Sequence, residues 1–515
     1  MAQSLFGGGS LRPLRPRQAD AIQQIRDAIR QGHKRIIVQA PTGFGKTLTA
    51  AHIIAGALKK RKRPLFAVPA IALVNQTLEA FEAEGIRDIG IIQAQHERTD
   101  WDAPVQIASI LTLIRRPIPP VDFLIIDEVH SSFKGLDARL DSEQWKDKIA
   151  IGLSATPWSR GLGNRWTKLI IAATVEQLIG EQFLCPFVVY APTVPDTSKV
   201  PSRMNEYGEM EFTTEGAANV MDTKKITADV VSTWVERAEL LPTFLFAVNR
   251  KHAQSLRDEF QSVGISCGYI DAFSTPDERT ETFKRFRDGR DQIIASVECL
   301  TTGVDEDVRC IIDAAPTRSE IRHVQKIGRG LRMADGKRRL IILDHAGNSL
   351  RLGCVTDIYH DRLDTRKPGD KKEAYEDDKP APKPKKCKCG ALIPPGKKQC
   401  PACGAILQVV SEVETEAGEL VLLGSGKKGK TQPTMADKQH FYSGLLGIAK
   451  ERGYSDGWVA HKYRAKFTVW PRGLEKVAID PPADVRSFEQ SQRIRFAKAR
   501  EKATNSTASA SIGTS

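Results

Sequence analysis

A glycine-rich stretch near residue 40 has the residue types and spacing that hold a nucleoside triphosphate. This stretch, Gln39-Ala-Pro-Thr-Gly-Phe-Gly-Lys-Thr47, follows an apolar β-branched run and precedes a helical pattern, which is the order that a phosphate-binding loop requires. Gly43 and Gly45 allow backbone N–H groups to approach the phosphates. Lys46 is predicted to reach the β- and γ-phosphates, and the Thr47 hydroxyl to bind Mg²⁺.

Two adjacent carboxylates have the chemistry to complete that site. They follow the apolar run Phe123-Leu-Ile-Ile126, and ligands of open α/β sheets bind where the strands end. We expect Asp127 to hold the Mg²⁺ and Glu128 to orient and deprotonate the attacking water. An acidic strand end by itself is more often an exposed turn, but together with Lys46 the pair predicts ATP hydrolysis.

Four clustered cysteines form a second candidate site. Cys387 and Cys389 make one pair, Cys400 and Cys403 the other, and each pair is followed by glycine, which suits four thiolates around a tetrahedral Zn²⁺. The segment is too short for a core of its own, so a structural metal would supply its folding energy. A redox pair or a chance cluster is the alternative. The remaining cysteines lie in apolar surroundings and are predicted to be buried thiols: Cys185, Cys267, Cys299, Cys310 and Cys354.

These groups need a scaffold of parallel sheets to position them. Short runs that are apolar on successive residues are typical of strands buried on both faces. Helical stretches such as His252–Val263 lie between such runs, which predicts an α/β fold with two tandem lobes. The predicted strands are 35–39, 65–68, 105–108, 123–126 and 149–153 in the first lobe, and 243–248, 265–270, 292–297, 310–313 and 340–343 in the second.

Composition divides the whole chain into segments. Residues 364–386 are rich in Lys, Asp, Glu and Pro, which is typical of a solvated linker. The predicted segments are lobe one at 1–180, an inter-lobe connection at 181–226, lobe two at 227–352, a linker at 353–386, a zinc ribbon at 387–404, a helical basic and aromatic module at 436–475, and a tail at 476–515 whose end is disordered.

The positive charge is concentrated near the C-terminal end. Of the net charge of +13, residues 381–515 carry most, with 23 Lys and Arg against 12 Asp and Glu. This favours an anionic partner, most often nucleic acid, although a solubilising tail has the same charge. Basic and aromatic residues interleave there and either bind single strands or form a small helical core with a basic exterior: Trp458, His461, Lys462, Tyr463, Arg464, Lys466, Phe467 and Trp470.

No run of about 18 apolar residues is present, and the first ten residues lack the order of a secretory signal. We therefore expect a cytoplasmic protein with no membrane span.

The strand end Asp127-Glu-Val-His130 resembles the DEAD/DEAH box of superfamily 2 helicases. Leu343-Asp-His-Ala-Gly-Asn348 is similar to the phage and bacterial branch of that family, which includes DNA repair and type III restriction-like translocases. Other motifs of the family follow in order between them and before them: Leu14-Arg-Pro-Arg-Gln18, Val68-Pro-Ala-Ile-Ala-Leu-Val-Asn-Gln76, Ala108-Ser-Ile-Leu-Thr112, Ser154-Ala-Thr-Pro157, Phe246-Ala-Val-Asn-Arg250, Thr301-Thr-Gly-Val-Asp305 and Gln325-Lys-Ile-Gly-Arg-Gly-Leu-Arg332.

This resemblance implies two RecA-like lobes and gives roles to further residues. Gln18 would contact the adenine, and Asp305 would lie at the nucleotide. Arg329 and Arg332, with Gln325 beside them, would belong to the catalytic arginine-finger motif. Because they lie on the second lobe, they would reach the γ-phosphate only when the lobes close.

Together these features predict an ATP-dependent DNA helicase or translocase that uses ATP and Mg²⁺ and carries structural Zn²⁺. An RNA helicase and the ATPase subunit of a restriction-type complex are enzyme alternatives. A nucleic-acid-binding protein that uses ATP only as a switch is the alternative from another class, and Glu128 with Arg329 argues against it. Such motors contact mainly the nucleic-acid backbone, so these motifs leave DNA and RNA both open.

Overall fold

The structure consists of two α/β sheets with their helices, a cysteine-bearing hairpin and a helical unit. It is a computed structural model that describes residues 11–93, 96–131, 134–191, 194–238, 240–300, 304–366, 383–406, 434–467, 469–471 and 473–491. The predicted disordered end and residues 367–382 of the predicted linker lie outside these residues.

Lobe one is built on a sheet of seven parallel strands. All five predicted strands are present, and two short strands at 89–92 and 168–171 are additional to them. The strands are β1 (Arg35–Gln39), β2 (Pro64–Val68), β3 (Ile89–Ile92), β4 (Val105–Ser109), β5 (Phe123–Asp127), β6 (Ile149–Ser154) and β7 (Lys168–Ile171), in the spatial order β3-β4-β2-β5-β6-β1-β7. The helices are α1 (Pro16–Arg30), α2 (Lys46–Leu58), α3 (Ala72–Ala83), α4 (Ile110–Arg115), α5 (Lys134–Leu140) and α6 (Val175–Gly180).

Lobe two is built on a sheet of eight strands. Its strands are β8 (Phe187–Tyr190), β11 (Thr243–Phe246), β12 (Cys267–Ile270), β13 (Ile293–Ser296), β14 (Cys310–Asp313), β15 (Leu340–Asp344), β16 (Lys385–Lys386) and β17 (Ala391–Ile393), in the order β12-β13-β11-β14-β15-β8-β17-β16. Pairing is parallel from β12 to β8 and antiparallel from β8 to β16. The parallel strands of the two sheets confirm the predicted α/β fold class.

A short antiparallel hairpin of β9 (Ser202–Met204) and β10 (Met210–Phe212) precedes the helices of lobe two. Those helices are α7 (Thr214–Met221), α8 (Lys224–Arg237), α9 (Arg250–Ser262), α10 (Pro276–Arg287), α11 (Glu320–Gly330) and α12 (Asn348–Leu352).

Two segment assignments differ from the structure. The inter-lobe connection at 181–226 contains β8, which joins the second sheet because its apolar residues pair with β15. The predicted linker at 353–386 is packed against lobe one up to residue 366. Cys354, Val355 and Ile358 are buried, and the backbone N–H of Gly163 in lobe one donates to Asp364 O at 2.7 Å.

Buried apolar residues of both lobes belong to one cluster, which includes Val38 of β1, Leu184 and Ile327 of α11. The lobes and the hairpin of β16 and β17, here called the cysteine hairpin, form one compact unit. The lobes are therefore closed on each other.

The second compact unit contains α13 (Met435–Arg452), α14 (Asp456–Phe467) and the segment that follows them. Its core extends beyond the predicted limit at residue 475, because Val485 is buried with Leu445 and Tyr463. Among the described residues of the chain, no helix combines the length and the apolar character that crossing a bilayer requires.

Candidate nucleotide site and cysteine cluster

The phosphate-binding loop requires glycine at two positions. Gly45 has φ 92° and lies at the start of α2, and a Cβ there would lie 2.4 Å from Gln18 Nε2. Gly43 has φ 82°, and a Cβ there would lie 2.5 Å from Leu184 Cδ2. Both backbones are in the left-handed region that favours glycine. The loop therefore presents its N–H groups beside a helix N-terminus, where anions bind.

Gln18 holds this loop from behind. The side chain is 1% exposed. Its Nε2 donates to Phe44 O at 2.7 Å, and its Oε1 accepts from the Arg15 backbone N–H at 2.8 Å. Both polar ends of the amide are thus engaged by the chain itself, and the predicted adenine contact stays a prediction. The Arg15 guanidinium lies 4.1 Å from the centre of the Phe183 ring, a stacked pair beside the loop that motif matching missed.

The predicted catalytic groups of lobe one lie together at the ends of β1 and β5. Lys46 Nζ is 2.7 Å from Glu128 Oε1 and 3.9 Å from Asp127 Oδ1. Among the described residues, Asp127 Oδ1 and Glu128 Oε2 are buried without a hydrogen-bond partner. Glu128 also has φ 50°, a conformation that costs a residue with a side chain roughly 1–3 kcal/mol. Buried carboxylate oxygens without donors, beside a phosphate loop, are suited to a cation and a water. Thr47 is exposed at the same loop.

Burial and neighbouring charges move the pKa values of the two carboxyl groups in opposite directions. Burial raises the pKa of Asp127 to about 6, with Lys46 opposing the rise and Glu128 adding to it. Burial would also raise the pKa of Glu128, but the Lys46 and His130 interactions outweigh it and lower that pKa to about 2. Glu128 is thus the ionised partner of Lys46.

His130 joins the end of β5, which carries Asp127, to lobe two. Its Nδ1 lies 2.8 Å from Ser154 Oγ and 3.3 Å from Glu128 Oε2, and its Nε2 lies 2.8 Å from Gln325 Nε2. Burial lowers the pKa of His130 to about 4, although Glu128 opposes this, so the ring is neutral at pH 7. With the Gln325 amide donating to Nε2, the ring proton lies on Nδ1. Gln325 therefore contacts lobe one through this histidine.

The predicted arginine-finger residues lie on and just after α11. Arg329 is 9% exposed, and its charge is close enough to lower the pKa of both Asp127 and Glu128. Burial and the neighbouring Arg332 lower the pKa of Arg329 itself to about 10.

Asp305 lies beside these arginines. Arg329 Nη1 and Arg332 Nη1 donate to Val304 O at 3.2 and 2.8 Å. Arg332 also forms an ion pair with Asp305, whose side chain is 77% exposed. The structure thus brings Asp305 to Arg332, and its predicted place at the nucleotide stays a prediction.

Helix α11 packs directly on the phosphate loop. A Cβ at Gly328 would lie 2.9 Å from Thr42 Oγ1, so this glycine permits the close approach of the two lobes. Cys185 N donates to Leu331 O at 2.9 Å, which attaches the start of β8 to the end of α11.

A buried lysine that the motifs do not include closes the end of α11. Lys337 is 6% exposed, and its Nζ donates to Val308 O at 2.6 Å, Gly330 O at 2.5 Å and Arg332 O at 2.7 Å. The last carbonyls of a helix have no partner within the helix, and the ammonium supplies one donor for each of three carbonyls. No sequence signal identifies this role, because its partners are defined only by the fold.

The β9–β10 hairpin contacts both lobes. Tyr207 O accepts from the Arg160 N–H at 2.9 Å in lobe one, and the Tyr207 ring centre lies 5.7 Å from that of His130. On the other side, buried Glu211 accepts from Arg318 N at 2.9 Å and from the Thr317 hydroxyl. This hairpin therefore lies between the end of β5 and the start of α11.

The four predicted metal-ligating cysteines are close together. All four Sγ atoms lie within 4.8 Å of one another, and Cys387–Cys403 and Cys389–Cys400 have Sγ–Sγ distances of 3.7 Å. A tetrahedron with Zn–S arms of about 2.3 Å has edges of about 3.8 Å, so the donor set fits zinc. Strand β17 between the pairs adds to β8, which makes the hairpin part of the second sheet.

Two segments of the chain match known protein families. Residues 12–159 match the type III restriction enzyme res subunit, and residues 228–334 match the helicase conserved C-terminal domain. A 51.5 kDa protein of a Lactococcus phage (isolate 7-9) is 28% identical over 373 residues, which cover 72% of this chain and 77% of that protein.

More distant proteins are similar as well. A Saccharomyces cerevisiae protein that carries the name ATP-dependent helicase IRC3 is 28% identical over 363 residues, and the match covers 65% of this chain and 52% of that protein. The chain therefore spans about half the length of this yeast relative. A solved structure of the ATP-dependent type ISP restriction-modification enzyme LlaBIII bound to DNA is 16% identical, with a TM-score of 0.49, over 65% of this chain and 28% of that one.

Proposed function

We propose that this chain, whose two lobes are those of a superfamily 2 helicase of the type III restriction-like kind, is an ATP-dependent DNA translocase or helicase. The observation that carries the proposal is the composite site between the lobes. Lys46, Asp127 and Glu128 of lobe one face Arg329 of lobe two, and Gln325 bonds to His130 across the same boundary. A hydrolytic site divided between two lobes converts ATP turnover into lobe movement.

The residues of this site have separable roles. In the structure, Lys46 is the counter-ion of Glu128. Triphosphate would draw the Lys46 ammonium toward its β- and γ-oxygens. Glu128 would then lose its main stabilising charge, its pKa would rise, and it would become a stronger base for the attacking water. Arg329 would stabilise the charge that develops on the transferred phosphoryl group.

Asp127 and Thr47 are the residues that would hold Mg²⁺. The buried Asp127 Oδ1, which has no donor among the described residues, fits this role. When bound, Mg²⁺ would neutralise charge on the β- and γ-phosphates.

The cysteine hairpin is proposed to hold one structural Zn²⁺ through Cys387, Cys389, Cys400 and Cys403. All four ligand positions would then be filled by thiolates, which leaves none for a water or a substrate. Its role would be to stabilise the β16–β17 hairpin at the edge of the second sheet.

DNA is proposed as the track on the strength of the family match and the basic C-terminal part of the chain. The test is the rate of ATP hydrolysis with single-stranded DNA, blunt duplex, forked duplex or single-stranded RNA as the stimulator, with Glu128→Gln as the inactive control. We expect stimulation by DNA and displacement of a third strand from a triplex as the motor advances.

Each contrary result selects an alternative. Stimulation by RNA alone would make the chain an RNA helicase. Nucleic-acid binding that responds to ATP, without any stimulated turnover, would make it an ATP-switched binding protein. Turnover that requires an added endonuclease or specificity subunit would make it a component of a restriction-type complex.

A further inference from the structure

One surface of the helical unit is not explained by packing. Here it is called the Trp470 face and comprises His461 and Arg464 of α14 together with Trp470, which follows the helix. Trp470 is 41% exposed. Its ring centre lies 5.3 Å from that of His461 in an edge-to-face arrangement and 4.7 Å from the Arg464 guanidinium carbon.

The core of the unit accounts for several of its aromatic residues. Val459 and Tyr463 occupy the inner side of α14 and are buried against α13, and the Tyr442 ring meets the Tyr463 ring at 5.8 Å. Phe467 packs against the same cluster. Trp470 is absent from that cluster, and its ring instead contacts His461 and Arg464. The interleaved residues thus divide into a core set and an outer set.

Ion pairs within the unit leave this face positive. Glu451 pairs with Arg486, Asp456 with Lys476, and Glu489 with Arg452. Within the described part of the unit, the contacts of Arg464 and Lys466 are with aromatic rings rather than with carboxylates. The carboxylates of Glu451, Asp456 and Glu489 are therefore bound elsewhere, while residues 381–515 as a whole carry 23 basic against 12 acidic residues.

We propose that the Trp470 face binds single-stranded DNA, with one base stacked on Trp470 and the adjoining phosphates bound by Arg464 and His461. The proposal rests on the proposed function and adds a contact with DNA outside the two lobes. An exposed ring can stack only on a base that is already unstacked from its neighbours, so the face selects single strands over duplex. The Arg464 guanidinium lies over one face of the ring, so the base would stack on the opposite face while the guanidinium supplies the phosphate contact.

The test uses the full chain with the substitutions Trp470→Ala and Arg464→Gln. The probe is a fluorescein-labelled oligo-dT of about 20 nucleotides, and anisotropy is followed at several salt concentrations. Trp470→Ala should weaken binding by roughly 5- to 150-fold, which is the range for loss of one base stack, with an unchanged salt dependence. Arg464→Gln should reduce the slope of log K against log salt by about 0.7, the value for one phosphate contact on a single strand.

Trp101 supplies a matched control. It is also 41% exposed and precedes β4 at the amino end of the first sheet, so Trp101→Ala removes an equally exposed tryptophan from another place. We expect this variant to bind the oligonucleotide like the wild type.

A second readout separates this inference from the proposed function. The DNA concentration for half-maximal ATPase should rise in Trp470→Ala, while kcat at saturating DNA should stay within about twofold. Wild-type ATPase without any DNA stimulation would refute the proposed function. Stimulated ATPase with the same DNA dependence in wild type and Trp470→Ala would refute the Trp470 face alone. Equal weakening of duplex and single-strand binding would also refute it, because stacking requires free bases.

Discussion

Lys337 provides a sharp test of how α11, which carries the proposed arginine finger Arg329, is positioned. The perturbation is Lys337→Met, which keeps the length and the apolar stem of the side chain but removes the ammonium. The three hydrogen bonds to Val308 O, Gly330 O and Arg332 O would be lost together. Gly330 is the last residue of α11 and directly follows Arg329, Arg332 lies just beyond the helix, and Val308 precedes β14.

The expected magnitude follows from two opposing terms. Hydrogen bonds from a charged donor contribute about 1.5–3 kcal/mol each. Against this stands the cost of burying the ammonium, which lowers the pKa of Lys337 and amounts to several kcal/mol. Gly330 O keeps the Cys185 thiol at 3.6 Å as a donor. We expect a net loss of about 2–4 kcal/mol.

The assay must separate lost positioning from lost stability. The measurements are kcat and KM for ATP at saturating DNA, well below the melting temperature, together with thermal unfolding. If the lost free energy acts wholly on the position of Arg329, kcat falls by roughly 30- to 900-fold. The KM for ATP should change little, because the phosphate loop is on the other lobe. Arg338→Met is the control, since Arg338 is the exposed neighbour of Lys337 and carries the same charge.

Two results would refute this reasoning. A folded Lys337→Met protein with kcat within twofold of Arg338→Met would show that the lysine does not position the finger. A rise in KM with unchanged kcat would place its effect at nucleotide binding instead.

Three further predictions concern the site, the metal and pH. Glu128→Gln should bind ATP but hydrolyse it about 10²–10⁴-fold more slowly; nucleotide titration and turnover check this, and loss of binding would contradict the role of base. Purified protein should contain one zinc per chain by elemental analysis and Cys389→Ser should contain less, whereas equal metal content in both would refute the site. Burial lowers the pKa of His252 and of His345 to about 4, so between pH 6.5 and 4 the unfolded state binds more protons than the folded one. Stability is therefore lost as pH falls through that window, by up to about 3 kcal/mol for each histidine; melting temperature against pH should be flatter in His252→Gln and His345→Gln, and an unchanged profile would contradict it.

The sequence predicted those parts of the fold that local pattern determines. Strands such as β1 and β14 are found at the predicted residues, because each is an apolar run between clear turn signals. Strands β7 and β8 were missed, although each has four residues, as β14 does. Their conformation is decided by pairing with β1 and β15, which no local pattern contains.

The same division holds at the site. Lys46, Asp127 and Glu128 belong to contiguous motifs, and the structure brings them together. The positions of Gln18 and Asp305 depend on neighbours distant in sequence, and the structure places their side chains on the phosphate loop and on Arg332. Family motifs name residues by what a bound nucleotide would contact, whereas these contacts are those of the chain with itself.

Helix α11 is held at both ends, and this decides how Arg329 can move. At its start, Ser319 caps the helix and also bonds to Glu209 of the β9–β10 hairpin. At its end, Lys337 and the Cys185–Leu331 hydrogen bond tie it to the second sheet. A helix fixed at both ends moves with its sheet, so we expect Arg329 to reach a bound nucleotide through lobe closure rather than through a local shift of α11.

The cysteine hairpin enters this arrangement through β8. Strand β17 pairs with β8, with Leu392 opposite Val189 in the middle of β8. Strand β8 begins two residues after Cys185. Lys397 of the same hairpin bonds to Glu176 of lobe one at 3.0 Å, although an exposed pair of this kind contributes little by itself. Loss of the hairpin would leave β8 as an unprotected edge strand beside the residue that anchors α11. The four clustered cysteines, which are distant from Lys46 in sequence, therefore lie only one strand away from the contacts that hold the end of α11.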